Sequence, residues 1–263
     1  MGSCVFNLAI ISLMDMLHGP TPIFSRAEHS HVLSAGFGVV LIGIASASIL
    51  AHDLIPSLGA IGLYTPAIIV IYAISMRSIF LFEKKKIAAF IGEIAEAARY
   101  DHMTTRVAVL QYVLNALVIV GAAAWLPFLG DRLADETGLG RSFIGTIFIA
   151  MTTSLPELVV SIAALRIGAA DMAIANLFGS NLFNIFLLAV DDLFYTGGPL
   201  LSAVSQNHAI TGFMAVIMTG IAMASLTYRI EKKAFLRLGW DALALIFGYI
   251  VNIYFLYSLR GRG

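Results

Sequence analysis

Long apolar runs separated by short polar ones dominate the chain. Runs with few charges occupy about 32–51, 60–82, 107–129, 143–165, 172–193, 209–228 and 239–259, and a shorter one extends from Gly2 to about Leu17. Each long run has the ~20 residues that a helix needs to cross a hydrocarbon core of roughly 30 Å. Lipid offers backbone N–H and C=O groups no partners, so helices are the expected form of every run. The pattern thus predicts an all-α integral membrane protein of about eight transmembrane helices. The connectors are short and rich in Gly, Pro, His and charge. The longest, 83–106, reads EKKKIAAFIGEIAEAARYDHMTTR and is expected to be a polar helix or hinge, not a separate domain.

Composition narrows the class further. Of 263 residues, 59% are hydrophobic and 12% charged, whereas a soluble domain carries about a quarter charged residues. So thin a polar coat suits a chain that faces lipid, and multi-pass residence in the cell membrane is expected. Net charge is zero, which gives no bulk attraction to nucleic acid. The single cysteine, Cys4, allows no internal disulfide framework and no thiolate metal cluster. The start, Met1-Gly2-Ser3-Cys4, lacks the basic region of a signal peptide. Phe6 stands where a myristoylation motif needs Ser or Thr. Placing the 83–106 segment in the cytoplasm puts eleven Lys and Arg inside against four outside, as the positive-inside rule requires. Gly2 then starts its helix on the outer side.

The chain also repeats itself. Residues 2–76 align without gaps on 179–253 at a constant offset of 177. Gly2 meets Gly179, Ser3 meets Ser180, Asn7 meets Asn184, Asp15 meets Asp192, Pro22 meets Pro199, His31 meets His208 and Gly62 meets Gly239. Apolar coincidences are cheap in so hydrophobic a chain, but matched Gly, Pro, Asn, Asp and His are not. Five spans separate the two starts, and an odd number means that the copies cross the membrane in opposite directions. Inverted repeats of this kind belong to secondary transporters, whose site lies near mid-membrane at the repeat interface. The organisation expected is a partial first repeat over 1–82, a cytoplasmic loop over 83–106 and a complete second repeat over 107–263. The helix pair at about 107–177 has no counterpart before Met1. The chain is therefore expected to hold about eight helices of a ten-helix inverted-repeat protein, through a late start or as a natural fragment.

Two clusters carry candidate chemistry. The first is Thr152-Thr153-Ser154-Leu155-Pro156-Glu157 inside a hydrophobic run. Proline removes a backbone donor and clashes with the preceding turn, so the helix should bend here and free carbonyl oxygens. A glutamate at membrane depth is costly and points to function. Ser154 and Ser161 lie three and four residues from Glu157 and can share its face. The second cluster is Asn176, Gly179, Ser180, Asn181 and Asn184, in which 176, 180 and 184 form a polar stripe. Ser3 and Asn7 repeat the Ser180–Asn184 pair in the first copy. Together these groups offer hard oxygen ligands, which suit Ca²⁺ or Na⁺ and not a thiol-seeking metal. Asn176 and Asn181 read equally well as interhelical bonds. Asp15 and Asp192 are read as interfacial or capping residues, and His31 and His208 as structural.

Thr153-Ser154-Leu155-Pro156-Glu157 followed by Gly179-Ser180-Asn181-Leu182-Phe183-Asn184 resembles the second α-repeat of the calcium/cation antiporter superfamily, in its prokaryotic sodium/calcium exchanger branch. That second α-repeat would span about 143–193. Gly2-Ser3-Cys4-Val5-Phe6-Asn7 resembles the end of the first α-repeat. The resemblance implies a ten-helix antiporter fold that binds Ca²⁺ and Na⁺ alternately where the α-repeats meet. Glu157 would be a principal carboxylate ligand, with Ser154 and the Thr153 carbonyl beside it and Ser3, Asn7, Ser180 and Asn184 on the other helix pair. Thr152 stands where the family usually has Gly, Asn184 where calcium-selective members often have Asp, and Cys4 where Asn is usual.

The reading is a secondary cation antiporter, with Na⁺/Ca²⁺ exchange foremost. Exchange of Na⁺, K⁺ or H⁺ without Ca²⁺ is the alternative within transport, and a transport-incompetent fragment the alternative outside it. No cofactor is expected, since the cations are substrates, and no protein partner can be inferred. An enzyme is not expected: neither His-Glu-x-x-His nor Gly-x-Ser-x-Gly occurs.

Overall fold

In the computed structural model, residues 1–96, 104–229, 232–234 and 238–259 are described. The first copy begins with α1 (Gly2–Leu17), a short α2 (Ile23–Arg26) and α3 (His31–Leu50). A two-stranded ribbon, β1 (Ser57–Leu58) paired antiparallel with β2 (Ile61–Gly62), leads into α4 (Tyr64–Glu96). The long α5 (Thr105–Thr137) comes next, and after it a helix in pieces: α6 (Arg141–Ile144), a π-turn (Gly145–Ile149), α7 (Ala150–Thr153) and α8 (Leu155–Arg166). Then come α9 (Ala170–Phe194), a 3₁₀ turn (Leu200–Ser202), α10 (Asn207–Tyr228) and α11 (Trp240–Ser258).

Among the described residues, six helices are long and apolar enough to cross a membrane, and the pieces from Arg141 to Arg166, bent by 40°, are long and apolar enough when taken together as one span. The eighth apolar helix, α1, has 16 residues. The eight runs are thus all helical. The charged stretch after residue 82 does not interrupt α4, which continues through 33 residues to Glu96; residues 97–103 of that segment lie outside the described residues. Large apolar side chains such as Val159, Phe247 and Trp240 are exposed, as lipid-facing positions should be.

The centre of the bundle is α1. Its Cys4, Val5, Leu8, Ile11 and Met14 are buried with Ile174, Leu177, Phe178 and Leu182 of α9. Around them, α3 packs on α9 and α10 packs on α1, and α3 and α10 pack on each other. The last contact is close: a β-carbon at Gly212 would lie 1.9 Å from Ser46 Oγ. By contrast, α5 is exposed along most of its length and buries only Gly130 and Ala134, against the stretch from Arg141 to Ile149.

The repeat is written into the hydrogen bonds. Asp15 and Asp192, near the ends of α1 and α9, are almost fully buried. Asp15 Oδ1 accepts from the Ile23 N–H at 2.6 Å and Oδ2 from the Gly239 N–H at 2.7 Å. Asp192 Oδ1 accepts from the Leu200 N–H at 2.6 Å and Oδ2 from the Gly62 N–H at 3.0 Å. All three residues of one set lie 177 positions from those of the other. Each aspartate also reaches across to the other copy's connector, so the two copies clasp each other reciprocally. Both connector glycines are required: a β-carbon would come within 2.1 Å of the Tyr64 ring at Gly62 and of Asp241 Oδ1 at Gly239.

Candidate functional site

The broken helix supplies the first part of the site. Ser154 departs from helical geometry with φ −97° and ψ 5°, and Pro156 follows as the second residue of α8. Proline has no N–H, so the Thr152 carbonyl lacks its i+4 donor, and the bend expected from the sequence falls where that donor is missing. Ser154 is buried at the break. Glu157 sits in the first turn of α8, where the positive end of the helix dipole favours a carboxylate. It is half-buried, and its Oε2 is buried with no hydrogen-bond partner among the described residues. The Glu157 carbonyl accepts from Asn176 Nδ2 at 3.3 Å, and the same amide donates to Ser161 Oγ at 3.1 Å. Asn176 therefore fastens the turn bearing Glu157 to α9.

Helix α1 closes over this face. Ser3 Oγ lies 3.3 Å from Thr153 Oγ1, so two of the expected site residues meet directly. Gly2 allows the approach: a β-carbon there would be 2.3 Å from the Thr146 carbonyl oxygen and 2.8 Å from Ala150 Cβ.

Asparagines join α1 to α9. Asn7 Nδ2 donates to Asn181 Oδ1 at 3.0 Å, and Asn181 Nδ2 donates to the Cys4 carbonyl at 3.3 Å. The Cys4 thiol points in turn at the Asn181 carbonyl, at 3.9 Å. Cys4 and Asn181 are themselves equivalent positions of the two copies, so the helices cross on the pseudo-twofold axis. Asn7 is fully buried, and its Oδ1 has no partner among the described residues; nor has Asn184 Nδ2.

The structure thus joins Ser3 to Thr153 and Asn7 to the Asn181–Cys4 pair, with Glu157 and Ser154 at the helix packed against both α1 and α9; no side-chain hydrogen bond joins Asn184 to them among the described residues. Ser180 lies half-buried on α9 and makes no side-chain hydrogen bond among the described residues. Asn176 and Asn181 are interhelical ties. Asp15 and Asp192 exceed the capping role expected of them, since each links the two copies. The equal spacing of Gly62 and Gly239 was the available signal, but nothing in the sequence said which group those glycines meet. His31 bonds Asp171 Oδ1 through Nε2 at 3.0 Å, a tie between the starts of α3 and α9. Among the described residues, no three His, Cys, Asp or Glu side chains gather as a metal cluster.

Residues 107–258 match the family model described as sodium/calcium exchanger protein. The sodium/calcium exchanger MaX1 of Methanosarcina acetivorans is 32% identical over 149 residues, covering 56% of this chain and 40% of the relative. The sodium/potassium/calcium exchanger Nckx30C of Drosophila melanogaster is 27% identical over 154 residues, 56% of this chain and 17% of its own. The putative antiporter CaxA of Alkalimonas amylolytica is 28% identical over 147 residues, 56% of this chain and 44% of its own. The chain therefore spans less than half the length of these relatives. No solved structure gives a significant match. The matched segment contains the broken helix, the Glu157 turn and the asparagine stripe of α9, and the chain belongs to the sodium/calcium exchanger family.

Proposed function

We propose that this chain works in secondary cation antiport across the cell membrane, with Na⁺/Ca²⁺ exchange by alternating access as its chemistry. The observation that carries the reading is the Glu157 carboxylate, placed directly after a proline break with one oxygen buried and unpartnered. A buried acceptor without a donor is costly, and a hard cation is the group that satisfies it. Asn7 Oδ1 is a second buried oxygen in the same condition. Ser154, Thr153, Ser3, Ser180 and Asn184 complete the proposed ligand set, together with backbone carbonyls at the break. The cations are substrates, no cofactor enters and no enzymatic step is proposed.

The inverted repeat supplies the logic of access. A site on the pseudo-twofold axis is equidistant from both faces, so small rearrangements of opposite hand expose it to either side. By the positive-inside rule the starts of α1 and α6 face outward, and the segment 83–106, joining a first copy of 1–82 to a second of 107–263, lies in the cytoplasm.

Exchange of Na⁺, K⁺ or H⁺ without Ca²⁺ is the second reading. It is favoured by the single carboxylate in the proposed set, because Asn7 and Asn184 contribute no charge and divalent affinity rises with ligand charge. Na⁺-gradient-driven Ca²⁺ uptake into vesicles, with K⁺ and H⁺ gradients as controls, separates the two. Because the chain covers 40% of the archaeal exchanger, the assay uses the whole reading frame that contains these residues. Glu157→Gln keeps an oxygen ligand and removes the charge, so transport of every cation should fall to background. Undiminished transport by that variant would overturn the proposed site.

A further inference from the structure

One buried polar group beside the site is claimed by no structural bond. Thr146 is 5% exposed, and its Oγ1 has no hydrogen-bond partner among the described residues. A threonine in a helix ordinarily bonds a carbonyl one turn back, as Thr152 does to Phe148 at 2.8 Å in the same broken span. Thr146 does not, and it lies in the π-turn Gly145–Ile149. Such turns disturb the regular ladder and are common at functional sites. Here the Ala150 N–H, the ordinary donor to the Thr146 carbonyl, bonds the carbonyls of Gly145 and Ile147 instead. The Thr146 carbonyl faces α1 at Gly2, whose missing side chain leaves room for it.

Position matters as much as the missing partner. Thr146, Ala150 and Thr153 share the face that meets α1: Gly2 meets Thr146 and Ala150, and Ser3 meets Thr153. Glu157 follows Thr153 by four residues, across the break at Ser154. Thr146 precedes Glu157 in the same broken span, on the Arg141 side of the break. A buried hydroxyl and a carbonyl therefore stand between one end of the broken span and the carboxylate.

We propose that Thr146 is a further cation contact, lining the path by which hard cations pass between the Arg141 end of the span and Glu157. Resting on the antiport reading, the inference extends its site toward the Arg141 end of the span. A neutral hydroxyl and carbonyl replace part of a hydration shell without adding charge. Na⁺ and Ca²⁺ should therefore both use it.

The test is Thr146→Val, which keeps the shape and removes the hydroxyl, with Thr146→Ser as the rescue. Exchange is measured in right-side-out and everted vesicles. The apparent KM for Na⁺ and for Ca²⁺ presented on the Arg141 side should rise about threefold to tenfold, the effect of one lost polar contact. The opposite-side KM should stay unchanged, and Thr146→Ser should restore the wild-type value. The unfolding temperature in detergent should not fall, because no bond is lost. An unchanged KM on the Arg141 side, an equal rise on both sides, or a lowered unfolding temperature would overturn the proposal. If the wild type does not exchange, the antiport reading fails and cation binding is read directly. The rise in unfolding temperature on adding NaCl or CaCl₂ should then be smaller in Thr146→Val, and an equal rise would overturn this inference.

Discussion

Asp15 and Asp192 hold equivalent helices at equivalent places, and they do so with different chemistry. Both accept from the N–H eight residues on and from a connector glycine of the other copy. Asp192 adds two neutral partners, the hydroxyls of Tyr64, at 2.7 Å, and Thr65. At the equivalent positions the second copy has Asp241 and Ala242, so neither hydroxyl exists there. Asp15 instead has Lys233, whose ammonium lies 3.8 Å from Oδ1 and also donates to the carbonyls of Asp15 and His18. The bonds that both clasps share depend only on the path of the backbone, which the repeat preserves. The remaining charge is met by whichever side chains each connector carries.

A second contrast concerns how the two motif helices are covered. On α1, the broken span packs so closely that Gly2 has no room for a methyl group. On α9, a β-carbon at the equivalent Gly179 would meet nothing within 4 Å, and Phe183 is 47% exposed. Leu187 is 38% exposed, while its equivalent Ile10 is 2% exposed. One copy of the motif is thus enclosed and the other open at these positions, because the stretch from Gly145 to Thr153 packs on α1, whereas α9 is met by α8.

Five substitutions bear on these contrasts, each read as a change in unfolding free energy in detergent. The largest difference should come from the glycines. Gly2→Ala forces a methyl group against the Thr146 carbonyl and should cost about 1–3 kcal/mol. Gly179→Ala should be neutral or slightly stabilising, since alanine is the better helix former. Equal effects would end the claim that only one motif helix is enclosed. Next come the equivalent residues at the helix crossing. Asn181→Ala leaves Asn7 Nδ2 without a partner and removes a second donor from the Cys4 carbonyl, and should cost about 1–2 kcal/mol. Cys4→Ala loses only a weak thiol contact at 3.9 Å and should cost less. The reverse order would mean that the thiol, not the amide, holds the crossing. The smallest effect is expected at the clasp. Thr65→Val removes one of four bonds to Asp192, worth about 0.6 kcal/mol in a membrane protein. A loss several times larger would show that the hydroxyls, not the shared backbone donors, carry the Asp192 clasp.

Much of the architecture was legible in the chain. Eight apolar runs gave eight helices, since run length against bilayer thickness leaves little choice. Pro156 located the break because a missing N–H acts locally, whatever surrounds it. The matched Asp and Gly pairs revealed the repeat, since their spacing survives in sequence. The continuation of α4 to Glu96 was less legible: charge ends an apolar run without ending a helix. The π-turn at Gly145–Ile149 left no mark at all, because it answers to the packing of α1 and α5 on that stretch and not to any breaker residue.

The sequence by itself determined the helices, their inverted duplication and the residue types available for a hard-cation site, all of which follow from local composition and spacing. Only the tertiary structure decided what each polar group does. It made Asn176 and Asn181 ties, left Glu157 Oε2 and Thr146 Oγ1 without partners, and turned two aspartates into a reciprocal clasp. The physical reason is that a hydrogen bond between residues on different helices depends on where the two helices cross, and no one-dimensional spacing encodes that crossing.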